Sequence, residues 1–288
     1  QLGEADMLLS FEALSLIAIQ DIDPKVRLPA VRALWEYENP DLIPIFLEMV
    51  VKDSDADVRA ATATALGRYV YLGELDEIPS EDLHEVEERL LEVTRGGDAP
   101  LVRRRALESL GFSSREEVQP LIETAYTSGN RDWIASALFA MGRSANEKWQ
   151  PDVLAMLENS APAIRVEAAR AAGELEIGEA RLILLDMLED TDDSARDAAI
   201  WSLSQIGGEG VRETLERIYE ETEDDEEADY IEQALDNLAF TEDLELFSVL
   251  DVPEEDELDL EDRDELFDSD DDLLDLLDDG GEEEDGEP

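Results

Sequence analysis

Few side chains in this sequence could carry out catalysis, and their spacing matches none of the usual mechanisms. The 288 residues include one histidine, His84, and no cysteine, which excludes a thiol nucleophile and leaves no catalytic triad to assemble. We interpret His84 as a surface residue. The acidic runs DSDDD and EEEDGE lack the ligand spacing and central glycine of a calcium-binding loop. We therefore predict no catalytic residue, no metal and no cofactor.

Negative charge is the strongest feature of the composition. The formal net charge is −56, and residues 241–288 alone hold 25 acidic residues against one arginine. A surface of this sign repels nucleic acid and anionic membranes, and no apolar run is long enough to cross a bilayer. We expect another protein with a basic surface as the partner. The absence of a signal-peptide pattern predicts a cytoplasmic protein.

One sequence skeleton recurs down the chain, and it indicates the elements that carry any binding surface. DPKVRLPAVRAL returns as DADVRAATATALG, PLVRRRALESLG and PAIRVEAARAAG. The first apolar residue of each copy, here called the anchor, is Val26, Val58, Val102, Trp133, Ile164, Ala195 or Tyr230. Small residues lie four positions beyond the anchor and mostly leucine eight beyond, on one face of a helix. A second apolar helical run follows each copy, so the sequence predicts an all-α solenoid of about seven helical hairpins.

Polar residues mark the start of these anchored helices. Asp23, Asp55, Asn130 and Asp192 stand just before the helical pattern, where a side chain can accept hydrogen bonds from free backbone amides. Five copies carry an arginine directly after the anchor: Arg27, Arg59, Arg103, Arg165 and Arg196. We predict that each arginine pairs with the helix-start aspartate of its own or an adjacent repeat.

The pattern Asp-x-x-Val-Arg followed by small-x-x-small-Leu-Gly resembles the HEAT repeat, in particular the phycobilisome-lyase-type HEAT-like repeat. The fourth and seventh copies depart from it, with Ile134 and Ile231 in place of the arginine. The resemblance implies a solenoid whose second helices line a concave groove. Such repeats occur in adaptors, scaffolds and a few enzymes, so the resemblance leaves function open.

The groove implied by the resemblance contains the candidate binding residues. Positions six beyond the anchor should face away from the core, and two of them are aromatic. Arginine and aromatic side chains are common anchors of protein interfaces. The predicted partner-binding residues are Arg32, Arg68, Arg104, Phe139, Arg143, Arg170 and Trp201. The alternative that Phe139 and Trp201 pack onto adjacent repeats as core stays open.

Two segments depart from the repeat. The second and third anchors are 44 residues apart where the others are 31 to 35 apart. For this insertion we predict an extended loop, YLGELDEIP, followed by a helix from Glu81 to Thr94 that Ser80 caps. It could be a functional face or a plain surface loop. TEDLELFSVL is predicted to form a last, capping helix.

Beyond a solenoid domain of residues 1–250, residues 251–288 are predicted to be a disordered acidic tail, because like charges repel and the apolar content is small. We hypothesise that this tail covers the arginine-bearing groove until a basic partner draws it away. A solubilising segment without a partner is the alternative.

The sequence favours a protein–protein interaction scaffold or adaptor, binding through the groove, the tail or both, without catalytic activity. A bilin-lyase-like enzyme subunit and a purely structural, salt-adapted repeat protein are the alternatives. The oligomeric state stays open.

Overall fold

The computed structural model describes residues 12–35 and 37–249, and the side chains of these residues as far as residue 240. The chain divides into two units, Gln1–Glu242 and Asp243–Pro288, and the hairpins belong to the first apart from the last residues of the final helix. Of the second unit, only helical residues up to Val249 are described. The predicted tail and its boundary at residue 250 lie outside the described residues and stay predictions.

The described residues form fourteen α-helices and no β-strand, and this confirms the predicted all-α solenoid. In chain order the helices pair into seven hairpins, with the anchored helix second in each. The helices are α1 Glu12–Ala18, α2 Pro24–Leu34, α3 Ile43–Lys52, α4 Ala56–Glu74, α5 Ser80–Arg95, α6 Pro100–Ser109, α7 Val118–Tyr126, α8 Arg131–Arg143, α9 Gln150–Leu154, α10 Pro162–Glu174, α11 Arg181–Met187, α12 Asp193–Ile206, α13 Val211–Glu221 and α14 Asp225–Val249.

The second helices pack side by side into one layer. Helix α4 contacts both α2 and α6, and α10 contacts both α8 and α12. The first helices cover one side of this layer, as α3 does on α4 and α5 on α6. Each hairpin buries its apolar stripe against its neighbours, which is why the repeat is stable only as a stack.

The recurring small and apolar residues form the core. The residues eight positions beyond the anchors are fully buried: Leu34, Leu66, Leu110, Met141, Ala172, Leu203 and Leu238. The small residues four positions beyond the anchors are buried as well. Four of the seven anchors are buried, Trp133 and Tyr230 are half-buried, and Val26 has 39% of its surface exposed. It lies on the first hairpin of the described stack, where the side chain buried beside it is that of Arg27.

Glycine lets neighbouring second helices approach closely. A Cβ atom on Gly142 would lie 3.0 Å from the Cα atom of Ala171 in the next second helix. No larger residue fits this contact without moving the helix backbones apart. The glycine at the end of the repeat pattern therefore has a packing role.

The predicted helix caps are confirmed. Asp55 accepts hydrogen bonds from the backbone N–H groups of Asp57 and Val58 at 2.9 and 3.2 Å. Asp23, Asn130 and Asp192 cap α2, α8 and α12 in the same way. These side chains satisfy amides that have no partner within the helix.

The insertion is absorbed by helices, and the prediction of an extended loop was wrong. Helix α4 continues to Glu74, so the first four residues of YLGELDEIP are helical and only residues 75–79 connect to α5. Ser80 is the first residue of α5 and makes no capping hydrogen bond. The predicted last helix is likewise the continuation of α14, which runs unbroken from Asp225 to Val249. Both helices extend because no proline or glycine pair interrupts them at these points.

Arginines directly after the anchor tie neighbouring hairpins together. Nε and Nη2 of Arg27 each donate to a carboxylate oxygen of Asp53 at 2.7 Å. Arg59 repeats this one hairpin further on, donating to Asp98 at 2.8 and 2.6 Å. Its Nη1 also donates to the backbone carbonyl of Asp53 at 2.7 Å. Asp53 therefore joins two arginines from successive hairpins.

The same geometry returns further along the chain. Arg165 donates to both carboxylate oxygens of Asp190 at 2.7 and 2.6 Å, and Arg196 donates to the Asp190 carbonyl at 2.8 Å. We call Arg27, Arg59, Arg165 and Arg196, with Asp53, Asp98 and Asp190, the arginine ladder. The predicted link to an adjacent repeat is confirmed for Arg27, Arg59 and Arg165, but their acceptor is not the capping aspartate. Arg196 pairs instead with Asp193, the first residue of its own helix. Asp190 stands two residues before the cap, Asp192, whose carboxylate is occupied by the amides of its own helix.

Candidate partner-binding groove

Three neighbouring cavities follow the second helices from α2 to α14. Their volumes are about 650, 460 and 360 Å³. Trp35, Thr64 and Arg105 border the first and the second cavity, and Phe139 and Arg143 border the second and the third. Because they share walls, the three cavities form one groove, which we call the arginine groove.

The residues of the groove come mainly from one face of each second helix. Positions three, six and ten beyond the anchor lie close together on a helix, since three or four residues make one turn. Lining residues at these positions are Arg32, Ala61, Thr64, Arg68, Arg105, Glu108, Phe112, Phe139, Arg143, Glu167, Arg170, Glu174, Ala198 and Trp201. Six of the seven copies of the repeat thus contribute residues at these positions to the groove.

The middle of the groove holds arginine stacked on aromatic rings. The guanidinium carbon of Arg143 lies 5.2 Å from the ring centroids of both Phe112 and Phe139. Phe112 in turn packs edge-on against Tyr71 at 5.1 Å, and Arg68 lies 5.4 Å from the Tyr71 ring centroid. A cation over an aromatic face is held in place by the ring quadrupole, so these side chains are positioned for contact.

Six of the seven predicted binding residues line the arginine groove. The seventh, Arg104, lies between α6 and α8, where its Nη1 donates to the carbonyl of Asp132 and to the hydroxyl of Ser136 at 3.3 Å. Its neighbour Arg105 lines the groove instead, because it stands three positions beyond the anchor rather than two. Phe139 and Trp201 are both half-buried, so each packs against the wall and still borders a cavity.

Sequence reasoning missed Trp35, Tyr71, Arg105 and Phe112. Arg105 and Phe112 could have been found by extending the six-position rule to positions three and ten on the same face. Tyr71 could not, because it lies on the extra turns of α4 that were predicted to be a loop. The insertion therefore contributes an aromatic side chain, 36% exposed, to the groove.

Acidic side chains balance several of the groove arginines. Arg68 pairs with Glu38, Arg105 pairs with Glu108, and Nε of Arg143 lies 3.1 Å from Oε1 of Glu174 in a third ion pair. Arg32 is exposed and forms no ion pair within the described residues. A groove that is close to neutral contrasts with the strongly acidic rest of the chain.

Two carboxyl groups in the third cavity are poorly solvated. Burial raises the pKa of Glu167 and of Glu174 above its ordinary value, and the nearby arginines oppose this only in part. The Oε2 atom of Glu167 is buried and has no hydrogen-bond partner. These groups make the third cavity sensitive to charge in any ligand that enters it.

The described part of the chain offers neither a metal-binding cluster nor a membrane-spanning helix. There, no three His, Asp or Glu side chains cluster closely enough to hold a metal ion. No helix in that part has the length and apolar character needed to cross a membrane. His84 is exposed, as predicted.

The chain matches a family model described as HEAT repeats, over residues 11–110 and 151–236. No curated protein matches it. Among solved structures, it is similar to the complex of CpcE and CpcF of phycocyanin lyase from Nostoc sp. PCC7120. The identity is 18%, the TM-score is 0.51, and the match covers 79% of this chain and 94% of that one.

Two further solved structures are similar to the chain at lower TM-scores. Human deoxyhypusine hydroxylase in complex with glycerol is 16% identical, with a TM-score of 0.40, over 80% of this chain and 84% of that one. A Kap121p mutant is 16% identical, with a TM-score of 0.49, over 79% of this chain and 26% of that one. At these identities the likeness concerns the fold alone.

Proposed function

The chain belongs to the HEAT-repeat family, and from this premise we propose that it is a cytoplasmic interaction scaffold or adaptor without catalytic activity. The scaffold holds a partner protein in the arginine groove. The observation that carries this proposal is Arg143, held between Phe112 and Phe139 in the wall of an open cavity. Aromatic and arginine side chains held in place before binding lose little conformational entropy when a partner arrives.

The charge distribution supports a partner with two kinds of surface. Inside the groove, the arginines and aromatic rings favour acidic, aromatic or amide groups of the bound segment. Outside it, the acidic surface attracts basic groups over longer distances and raises the association rate. We therefore propose that the bound segment carries acidic, aromatic or amide groups and that the rest of the partner's surface is basic.

Photo-crosslinking from within the groove tests the proposal. Trp35 borders two of the cavities and is 47% exposed, whereas Tyr219 on α13 is 42% exposed and lies outside the three cavities. A photoreactive amino acid at position 35 should crosslink a partner from cell extract, and the same amino acid at position 219 should not. Equal yields of one adduct from both positions would contradict a groove site.

Substitutions in the groove provide a second test. The double variant Phe139→Ala/Arg143→Ala should lose the crosslinked partner, while Arg217→Ala, on the exposed face of α13, should keep it. A version that ends at Val252 separates the two proposed binding segments. If the partner is lost only on this truncation, the acidic tail is the ligand and the groove proposal fails.

A role as a subunit of a pigment lyase is the second candidate function. It rests on the similarity of fold to the CpcE–CpcF complex. This candidate predicts that adding a bilin pigment to the full chain changes the visible absorbance spectrum of the pigment. An unchanged spectrum at saturating pigment would remove it and would leave the scaffold proposal intact.

A further inference from the structure

The arginine ladder has a gap at the fourth hairpin. Arg103 stands at the ladder position of α6, and the residue 25 positions further on is Ser128. The same separation joins Arg165 to Asp190. Nε of Arg103 donates to the backbone carbonyl of Thr94 at 3.0 Å. Within the described residues Arg103 has no carboxylate partner, in contrast to the other four arginines that follow an anchor.

Ser128 is the counterpart of the ladder aspartates. Asp53 and Asp190 each accept a hydrogen bond at 2.9 Å from the backbone N–H two residues later, which belongs to the helix cap. The Ser128 hydroxyl accepts the same bond, from Asn130, at 3.2 Å. Serine therefore keeps the turn but is shorter than aspartate and carries no charge. The backbone is arranged for a carboxylate that this hairpin lacks.

An open apolar cavity of about 270 Å³ lies beside this gap. The guanidinium carbon of Arg103 lies 5.3 Å from the ring centroid of Trp133, which forms one wall. A guanidinium stacked on an aromatic face still presents its edge to a planar carboxylate. The remaining lining residues are Thr94, Arg95, Leu107, Leu121, Thr124, Ala125 and Ser128.

This cavity is separate from the arginine groove. Arg103 stands one position beyond the anchor, on a different face of its helix from positions three, six and ten. Two cations, Arg95 and Arg103, line it, and no acidic residue does. It is thus a cationic and apolar surface on an otherwise acidic protein.

We propose that this surface, here called the ladder notch, binds an acidic–apolar segment of a partner protein. An aspartate or glutamate of that segment supplies the missing carboxylate to Arg103, and an adjacent leucine or aromatic side chain enters the cavity. We expect a carboxylate because the arginine at the same position binds one in the first, second and fifth hairpins. The notch is a second binding site, beyond the one in the proposed function.

Filling the gap from within the chain is the sharpest test. In Ser128→Asp, the new carboxylate should pair with Arg103 and complete the ladder. This should raise the midpoint of thermal unfolding by a few degrees. It should also compete with the carboxylate of the ligand for Arg103. The probe is a short fluorescein-labelled peptide with one aspartate between leucine and phenylalanine, titrated with the full chain and followed by fluorescence anisotropy. Ser128→Asp should weaken binding of the probe at least tenfold, and Ser128→Asn should not. Equal affinities for both variants would overturn the proposal.

Removing the cation tests the same contact from the other side. Arg103→Met and Arg103→Lys should both weaken binding at least tenfold, because lysine lacks the two-point fork. Arg131→Met, an exposed arginine outside the notch, is the matched control. Circular dichroism checks that each variant is folded. A probe with asparagine in place of aspartate should bind the unaltered chain weakly. Its affinity should be no higher than that of the aspartate probe for the Arg103 variants.

The two proposed sites can fail independently. The groove variant Phe139→Ala/Arg143→Ala should bind the probe as the unaltered chain does. Loss of probe binding in that variant, with binding retained in Arg103→Met, would place the peptide in the arginine groove and overturn the ladder notch.

Discussion

Arg165 and Asp190 form a two-point ion pair, with both carboxylate oxygens within 2.7 Å of guanidinium nitrogens, across 25 residues of chain. The arginine and aspartate side chains are only 14% and 10% exposed. The pair joins α10 to the connection that precedes α12. A charge pair this far from solvent fixes the relative position of two hairpins, because each partner left alone would be a poorly solvated ion.

Replacing either Arg165 or Asp190 alone should therefore destabilise the fold. We expect Arg165→Met and Asp190→Leu each to lower the free energy of unfolding by about 1–3 kcal/mol, the cost typical of leaving a partly buried charge without its partner. The double variant should lose clearly less than the sum of the two, since no charge is then stranded. Urea unfolding of the four proteins measures this, and additive losses would contradict the expected coupling.

The same pair predicts a dependence on acid. The hydrogen bonds from Arg165 hold the pKa of Asp190 below its ordinary value of 3.8, although burial opposes them. A carboxyl group with a lowered pKa in the folded state stabilises the fold above its unfolded pKa, and loses this contribution as the pH falls through the folded value. The stability difference between the unaltered chain and Asp190→Asn should thus be constant near neutral pH and shrink below about pH 4. Unfolding measured from pH 3 to 7 would detect it, and a difference that grows in acid would contradict it.

A glycine substitution should separate packing from backbone flexibility. A Cβ atom on Gly173 would lie 2.7 Å from Cζ3 of Trp201 and 2.9 Å from the Cα atom of Ser202, whereas one on Gly97 would have no neighbour within 4 Å. Gly173→Ala should lower the free energy of unfolding by about 1–3 kcal/mol through overpacking. Gly97→Ala should change it little. Thermal unfolding of both variants decides the point, and a stable Gly173→Ala would show that α10 and α12 can move apart freely.

The parts of the fold that depend on local periodicity could be predicted from the sequence. The core positions four and eight beyond each anchor, and caps such as Asp55 and Asn130, follow from the helical repeat and from hydrogen bonding within a few residues. Tyr71 was missed for a local reason, because YLGELDEIP was predicted to be an extended loop and α4 continues through its first four residues, Gly73 included. Glycine costs about 1 kcal/mol in a helix, and packing overcomes that cost here.

The parts that depend on contacts between hairpins could not be predicted in full. The sequence indicates that Arg27 needs an acid, but two aspartates, Asp53 and Asp55, stand close enough in sequence to serve. Only the packing of neighbouring hairpins decides that Asp53 takes the arginine and Asp55 the amides. Arg104 and Arg105 pose the same problem, since a rotation of one residue on the helix decides which of them lines the groove.

A helix-cap variant provides a check on a purely local contribution. Asp55→Ala removes the acceptor for two amides at the start of α4 and should lower the free energy of unfolding by about 0.5–2 kcal/mol. Asp55→Asn keeps the acceptor and should be close to neutral. Urea unfolding of the two variants provides the comparison, and equal losses would assign the effect to charge rather than to capping.

Glu167 should destabilise the fold at neutral pH, and its removal gives the most specific test of the groove electrostatics. Its Oε2 atom is buried without a hydrogen-bond partner, and its Oε1 atom lies 3.5 Å from Nη1 of Arg170. Burial raises its pKa in the folded state. The charged carboxylate therefore destabilises the fold at pH values above its pKa in the folded state. This destabilisation disappears as the pH falls towards the pKa of the group in the unfolded chain.

Glu167→Gln should accordingly raise the free energy of unfolding at pH 7, by up to about 1 kcal/mol. This gain should vanish near pH 4, where the carboxyl group of the unaltered chain is protonated. In a chain with a net charge of −56, removal of any carboxylate also relieves general repulsion. Glu213→Gln on the exposed face of α13 removes the same charge without the burial and is the control. If Glu167→Gln and Glu213→Gln raise the free energy of unfolding equally at pH 7, the destabilisation comes from the net charge and not from the third cavity.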